Sequence, residues 1–234
     1  HSSSQVVTDG VLDSLDISLF GLSINEKAYL EILSTLGIVG GYKDEALGGL
    51  DKINYGEDHF TCFQFPYDWR KSNAENAKNL HEFIMEKKKY VEREIEERFD
   101  VKKDVKFDII THSMGALLAR YYLRYGSQDF SLEQNPTLDW RGAEFIEKTI
   151  MIAPPNAGSL DTLDSLVNGL ELSFLLPTYH PGLVGTMDSM YELLPRDRNR
   201  PIVVKGKEKN VSLYNVELWD KFNWGLLDEQ GDKV

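Results

Sequence analysis

The 234-residue sequence predicts an α/β fold with a mostly parallel, doubly wound sheet. Two observations carry this prediction. Strand-like apolar runs alternate along the chain with helix-like amphipathic runs, an alternation typical of parallel sheets with helices on both faces. In the middle of the chain, a strand-like run also turns into a helix-like run within about one residue, at Ser113. Ligands of open α/β sheets bind at the carboxyl ends of the strands, and we expect Ser113 to lie at such an end.

The first half of the chain predicts a helix, a strand and a second, long helix. Leucines at helical spacing predict a helix over about residues 26–36, ended by Gly37. An apolar run predicts a strand over 60–65, closed by Pro66. Apolar residues then recur at spacings of three, four and seven, which makes one stripe of an amphipathic helix: Ala77, Leu80, Ile84, Val91, Ile95 and Phe99.

The second half predicts the strand that ends at Ser113, its helix, a polar insertion over 126–142 and a strand over 146–153. The composition then changes, because 160–194 is rich in Leu, Met, Tyr, Phe, Gly and Pro. We interpret this stretch as a helical cap over the site, and a plain buried helix is the alternative. The domain hypothesis is therefore a core over 1–159, a cap over 160–195, and a continuation toward the rest of the core over 196–234.

The turn at Ser113 predicts a nucleophile elbow. Residues 111–115 read Thr-His-Ser-Met-Gly, which matches the G-x-S-x-G pattern except that Thr111 replaces the first glycine. So sharp a strand-to-helix turn strains the backbone of the serine and points its hydroxyl out of the sheet. It also places the backbone N–H of Met114 at the helix N-terminus. Ser113 is therefore the candidate nucleophile, and Met114 the candidate oxyanion donor.

Composition narrows the classes of partner and cofactor. A formal net charge of −12, from 26 basic and 38 acidic side chains, argues against nucleic acid as a partner. No apolar run reaches the roughly 20 residues of a membrane span, so we expect a soluble protein, of unknown compartment. No metal-ligand spacing and no nucleotide-binding glycine loop occurs, so we expect neither metal nor cofactor. Cys62, in an apolar run, is interpreted as a buried core thiol.

Five stretches together make the chain resemble the lecithin:cholesterol acyltransferase-like branch of the α/β-hydrolases. The resemblance covers most of the chain from about residue 60 onward. The five stretches are Phe65–Arg70 (Phe-Pro-Tyr-Asp-Trp-Arg), the elbow 111–115 with Arg120–Leu123, Ala153–Ser159, Ser189–Arg196 (Ser-Met-Tyr-Glu-Leu-Leu-Pro-Arg), and Tyr214–Leu226 with its two tryptophans.

The resemblance implies a serine-dependent enzyme that hydrolyses ester lipids or passes their acyl group to an alcohol. It implies Ser113 as nucleophile and Met114 as one oxyanion N–H donor, with Asp68 and Arg70 in structural roles. Substrate contact through the cap would bring a transient contact with a lipid surface. Acyl chain, head group, acceptor and oligomeric state are not indicated by the sequence.

The acid and base of a triad are not identified by the sequence. Only His180 follows Ser113, and it lies in the cap-like stretch rather than after a late strand, so we interpret it as a cap residue. Nothing around the candidate acids selects one of them: Asp161, Asp164, Asp188, Asp220 and Asp228. We therefore expect an incomplete hydrolase core. The alternative function is a non-catalytic hydrolase-like domain that binds a lipid or a partner.

Overall fold

The structure is a computed structural model that describes residues 14–19, 22–27, 30–45, 60–128, 136–171, 178–199 and 211–224. The chain divides into two compact units. One unit comprises His1–Asp68 and Asn79–Phe107, and the other comprises Trp69–Lys78 and Asp108–Val234. Ser113 therefore belongs to the second unit, together with the segment predicted as a cap.

The first unit contains a hairpin and a short helix. Strands β1 (Ser14–Leu19) and β2 (Leu22–Lys27) pair antiparallel, and helix α1 (Leu30–Ile38) follows. The predicted helix over 26–36 is thus wrong in its bounds, since β2 extends to Lys27 and α1 continues through Gly37. The first four residues of β2, Leu22–Asn25, alternate apolar and polar side chains with the period of two that is typical of a strand.

The predicted strand over 60–65 is reduced to a single parallel bridge between Asp44 and Cys62. Two backbone hydrogen bonds form this bridge, since Cys62 N–H donates to Lys43 O at 2.9 Å and Glu45 N–H donates to Cys62 O at 3.0 Å. The aromatic side chains of this run pack on neighbouring rings instead of lining a sheet. The Phe65 ring lies 5.2 Å from that of Phe83. The apolar run over 60–65 reflects this packing of aromatic rings rather than the pairing of a strand.

The long helix is confirmed as α2, which spans Asn73–Phe99. Its predicted apolar stripe is buried through most of its length: Ala77, Leu80, Ile84 and Val91 are each at most 9% exposed. Charged side chains of α2 also pair at i, i+4 spacing, as Arg98 does with Glu94 at 2.8 Å. Among the helices in the described ranges, none combines the length and the apolar character needed to cross a membrane.

The second unit contains a parallel strand pair. Strand β3 (Phe107–His112), helix α3 (Gly115–Tyr125) and strand β4 (Ile146–Ile152) follow one another, and β3 pairs with β4. Thr111 Oγ1 donates to Ile150 O at 3.4 Å and Ser113 N–H donates to Ile152 O at 2.9 Å, so the contacts advance along both strands in the same direction. The strand prediction over 146–153 is thereby confirmed to within one residue.

A larger doubly wound sheet remains a prediction. In the described ranges, the strands form one parallel pair and one antiparallel hairpin. The parallel pair with its connecting helix is one unit of the expected α/β architecture. Ile110, Ile150 and Ile152 on this pair are exposed, whereas the faces of parallel sheets are usually covered.

The chain after β4 forms a helical cluster with its own apolar core, here called the cap cluster. Its helices are α4 (Leu160–Asn168), α5 (Pro181–Val184), α6 (Asp188–Glu192) and α7 (Val216–Phe222). Its buried core consists of Leu166, Val184, Met187, Met190, Leu194 and Leu213. Trp219 and Trp224 pack against this core. The segment 211–224 therefore packs with the residues predicted as a cap.

Truncating the core of the cap cluster gives a direct test of this packing. Leu166 and Leu160 lie on the same helix, but Leu166 is 0% exposed and Leu160 is 54% exposed. We expect Leu166→Ala to lower the free energy of unfolding by about 2–5 kcal/mol, because it leaves a cavity. Leu160→Ala should change it by less than about 0.5 kcal/mol. Equal losses in urea unfolding of the two variants would contradict the packing described here.

Candidate active site

Ser113 lies at the turn between β3 and α3, at the carboxyl end of the parallel pair. Its N–H donates to Ile152 O at 2.9 Å, which ties the turn to the neighbouring strand. Its own carbonyl accepts from Ala116 N–H at 3.0 Å and so closes the first turn of the helix. Ser113 is exposed, so both backbone groups are fixed while the residue remains accessible.

The backbone of Ser113 adopts the left-handed conformation, with φ of 50°. For a residue with a Cβ atom this conformation costs roughly 1–2 kcal/mol, and such residues cluster at functional sites. Ala153, the residue after β4, is left-handed as well, with φ of 45°. Two neighbouring strands thus end in left-handed residues that are not glycine, and the bond from Ser113 N–H to Ile152 O lies between them.

Met114 follows Ser113 as the first residue of right-handed helical backbone, with φ of −60° and ψ of −28°. The next helical amides are occupied, since Ala116 N–H bonds Ser113 O and Leu117 N–H bonds Met114 O at 2.9 Å. In the described part of the chain, the N–H of Met114 has no backbone acceptor. It lies next to Ser113 at the positive end of α3, and an oxyanion formed at Ser113 could accept from it.

The histidine that follows Ser113 along the chain caps a short helix. His180 precedes α5, where its Nδ1 accepts from Gly182 N–H at 3.1 Å and caps the short helix. The contacts of His180 do not bring it to Ser113. His112 is exposed at the end of β3, while His59 lies outside the described residues.

The candidate acids are spread over the cap cluster. Asp161 and Asp164 lie on α4, Asp188 on α6 and Asp220 on α7, and all four are exposed; Asp228 lies outside the described residues. Asp164 accepts from Asn168 Nδ2 within its own helix. In the ranges that the structure describes, no three metal-binding side chains gather into one group.

The loop over 153–159, one of the stretches that carry the family resemblance, lies directly after β4. Gly158 has φ of 85°, and a Cβ there would lie 2.5 Å from the Cα of Pro195, so only glycine fits. Ser159 N–H donates to Leu193 O at 2.8 Å, and Asn199 Nδ2 donates to Ala157 O at 2.8 Å. The loop beside Ser113 is thus fixed to the end of α6.

Cys62 does not behave as a reactive thiol. Burial raises the pKa of the Cys62 thiol, and the Asp44 carboxylate adds to the effect by repulsion and by accepting a hydrogen bond from the thiol, so that together they raise this pKa to about 12. The nucleophilic form of cysteine is the thiolate, which is scarce near neutral pH at such a pKa. Cys62 is half-buried rather than fully buried, and its raised pKa supports the interpretation of an unreactive thiol.

Comparison with known proteins places the chain in a family. The family model for lecithin:cholesterol acyltransferase matches residues 36–220, more than half of the chain, and the chain therefore belongs to this family, within the α/β-hydrolase superfamily. A solved structure, titled as the crystal structure of a Tle4–Tli4 complex, is similar at 20% identity with a TM-score of 0.43, over 59% of this chain and 26% of that chain. No curated protein sequence matches significantly.

The strain at the end of β4 can be measured by removing one methyl group. We expect Ala153→Gly to raise the free energy of unfolding by up to about 1 kcal/mol, because relief of the left-handed conformation exceeds the entropic cost of glycine. Ala157→Gly is the control in the same loop, since Ala157 lies outside the left-handed region. It should lower the free energy of unfolding by about 0.5–1 kcal/mol. Equal destabilisation of both variants in urea unfolding would contradict the strain.

Proposed function

We propose that this chain, as a member of the lecithin:cholesterol acyltransferase family, carries out serine-dependent acyl transfer on ester lipids. The observation that carries the proposal is the left-handed, exposed Ser113 between β3 and α3. This is the geometry of a nucleophile elbow. Family membership supports lipid ester chemistry in general, and the elbow supports Ser113 as the group that attacks.

The chemistry follows from the groups at the elbow. Ser113 Oγ attacks the ester carbonyl carbon and gives its proton to a base, and the carbonyl oxygen becomes negatively charged. Met114 N–H donates to that oxygen in the tetrahedral intermediate. The C–O bond to the alcohol breaks, the alcohol takes a proton and leaves, and the acyl group stays on Ser113. Water or a second alcohol then attacks the acyl-enzyme and regenerates the serine.

The strained elbow would contribute through its rigidity. Both backbone groups of Ser113 are hydrogen-bonded within the fold. Backbone rotation therefore cannot move the hydroxyl away from the position from which it attacks. Pre-positioning of this kind supplies part of the rate enhancement of an enzyme. The proposal assigns the apolar cap cluster to the acyl side of the site. A cap that roofs Ser113, and a transient contact of that cap with a lipid surface, belong to the same proposal.

The proposal predicts a specific covalent label on Ser113. We expect a fluorophosphonate to add one phosphonyl group to the wild-type chain, and Ser113→Ala to abolish both this mass shift and the hydrolysis of p-nitrophenyl esters, because it removes the attacking hydroxyl. Intact-mass spectrometry and ester hydrolysis measure the two effects. Ser165→Ala is the control, since the Ser165 hydroxyl bonds Asp161 O within α4 at 2.8 Å. It should label at the wild-type rate.

The same experiment separates the proposal from its alternative. A folded wild-type chain that takes up no label, or that labels equally well as Ser113→Ala, would contradict a nucleophilic Ser113. The alternative function, a non-catalytic hydrolase-like domain that binds a lipid or a partner, would then be favoured. Far-ultraviolet circular dichroism of each variant shows whether the fold is intact, because the substitution removes one hydroxyl from an exposed turn.

A further inference from the structure

Helix α6 is attached on one side to the start of α2. Glu192 Oε2 accepts from the backbone N–H of Asn73 at 2.9 Å and also from Asn73 Nδ2. Ser189 N–H, one turn earlier on α6, donates to Arg70 O at 3.3 Å. The amide of Asn73 is one of the orphan donors at a helix N-terminus, where a carboxylate is favoured. Glu192 is thus the side chain that joins α6 to this end of α2.

On its other side, the end of α6 is attached to the loop beside Ser113. Leu193 O, the next residue after Glu192, accepts from Ser159 N–H, and Pro195 lies against Gly158 without room for a Cβ. The loop over 153–159 begins at the left-handed Ala153, directly after Ile152. Ile152 O accepts from Ser113 N–H. A short series of backbone contacts therefore leads from Glu192 to Ser113.

We propose that Glu192 is a positioning residue for the reaction at Ser113, because it fixes α6, and through α6 the loop over 153–159, against the elbow. The inference rests on the proposed function of Ser113. Glu192 itself does not touch the substrate in this proposal. It holds the neighbouring strand end in the one arrangement that keeps Ser113 left-handed and accessible.

The surroundings of Glu192 disfavour the ionised form of its carboxyl group. Burial raises the pKa of the Glu192 carboxyl, and Asp188 on the same helix raises it further, while the hydrogen bonds from Asn73 and the charge of Arg196 lower it. Within the described residues, Tyr214 also interacts electrostatically with it. A carboxyl held at this cost in a half-buried position is best explained by the two hydrogen bonds that it accepts.

The raised pKa determines in which direction the free energy of unfolding changes with pH. Because the folded state holds the proton more tightly than the unfolded chain, Glu192 favours folding most below the ordinary glutamate pKa of about 4.3, and this contribution is lost as the pH rises through the raised folded value. Glu192→Gln does not titrate. The free energy of unfolding of the wild type, relative to Glu192→Gln, should therefore increase as the pH falls from about 7 to about 4.

The positioning role is tested by the rate of fluorophosphonate labelling at Ser113, measured on the full chain with the fold checked by circular dichroism. We expect Glu192→Ala to slow labelling about tenfold, because truncation releases the end of α6. Glu192→Gln keeps a carbonyl oxygen for the amide of Asn73 and should stay within about threefold of the wild type. Glu217→Gln, an exposed position on α7, is the control and should label at the wild-type rate.

The outcomes separate this inference from the function on which it rests. A folded Glu192→Ala that labels as fast as the wild type, even with a lowered melting temperature, would show a purely structural role and overturn the inference while Ser113 stays the nucleophile. Absence of labelling in both the wild type and Glu217→Gln would overturn the proposed function instead. If Glu192→Ala does not fold, Asn73→Ala removes the partner side chain of the same contact. A folded Asn73→Ala must then label several-fold more slowly, and wild-type labelling of it would overturn the inference.

Discussion

The hydrogen bond from Ser113 N–H to Ile152 O is the interaction on which the rest of this region depends. It joins the ends of the two parallel strands at the position where both leave the sheet. With that amide fixed and Ser113 O bonded to Ala116 N–H, the chain turns into α3 within one residue, and Ser113 is left-handed at this turn. The strain, the exposure of the hydroxyl and the nearby amide of Met114 are consequences of the same constraint.

Helix α6 connects this constraint to the rest of the second unit. The buried leucines and methionines of the cap cluster fix α6 among α4, α5 and α7, while its polar groups reach outward to the start of α2 and to the loop over 153–159. The apolar core thus supplies stability, and the few directed hydrogen bonds supply position. The loop over 153–159 starts directly after Ile152 and contacts the end of α6. It therefore connects the packed cap cluster to the elbow.

Patterns with local physical causes were predictable from the sequence. The periodic stripe of α2, the strand β4 and the turn at Ser113 each depend on neighbouring residues, so the sequence predicted them closely. The predicted strand over 60–65 was wrong because aromatic residues are equally suited to a strand and to packing against a helix. Here the ring of Phe65 packs on that of Phe83. Ala153 and Glu192 were missed because their roles arise from contacts with distant residues. Glu192 lies among apolar and aromatic neighbours in Tyr-Glu-Leu-Leu-Pro. An acidic residue in such a stretch indicates a half-buried carboxylate that accepts hydrogen bonds, but the sequence alone does not identify the donors.

The most direct test of the elbow as a catalytic device is a crystal structure of the chain after reaction with a fluorophosphonate. The account predicts phosphorus bonded to Ser113 Oγ, the left-handed backbone of Ser113 retained, and the phosphonyl oxygen about 3 Å from the amide nitrogen of Met114, where an oxyanion would accept its hydrogen bond. Phosphonate on a different side chain, or a phosphonyl oxygen turned away from Met114 with Ser113 in another backbone conformation, would contradict it.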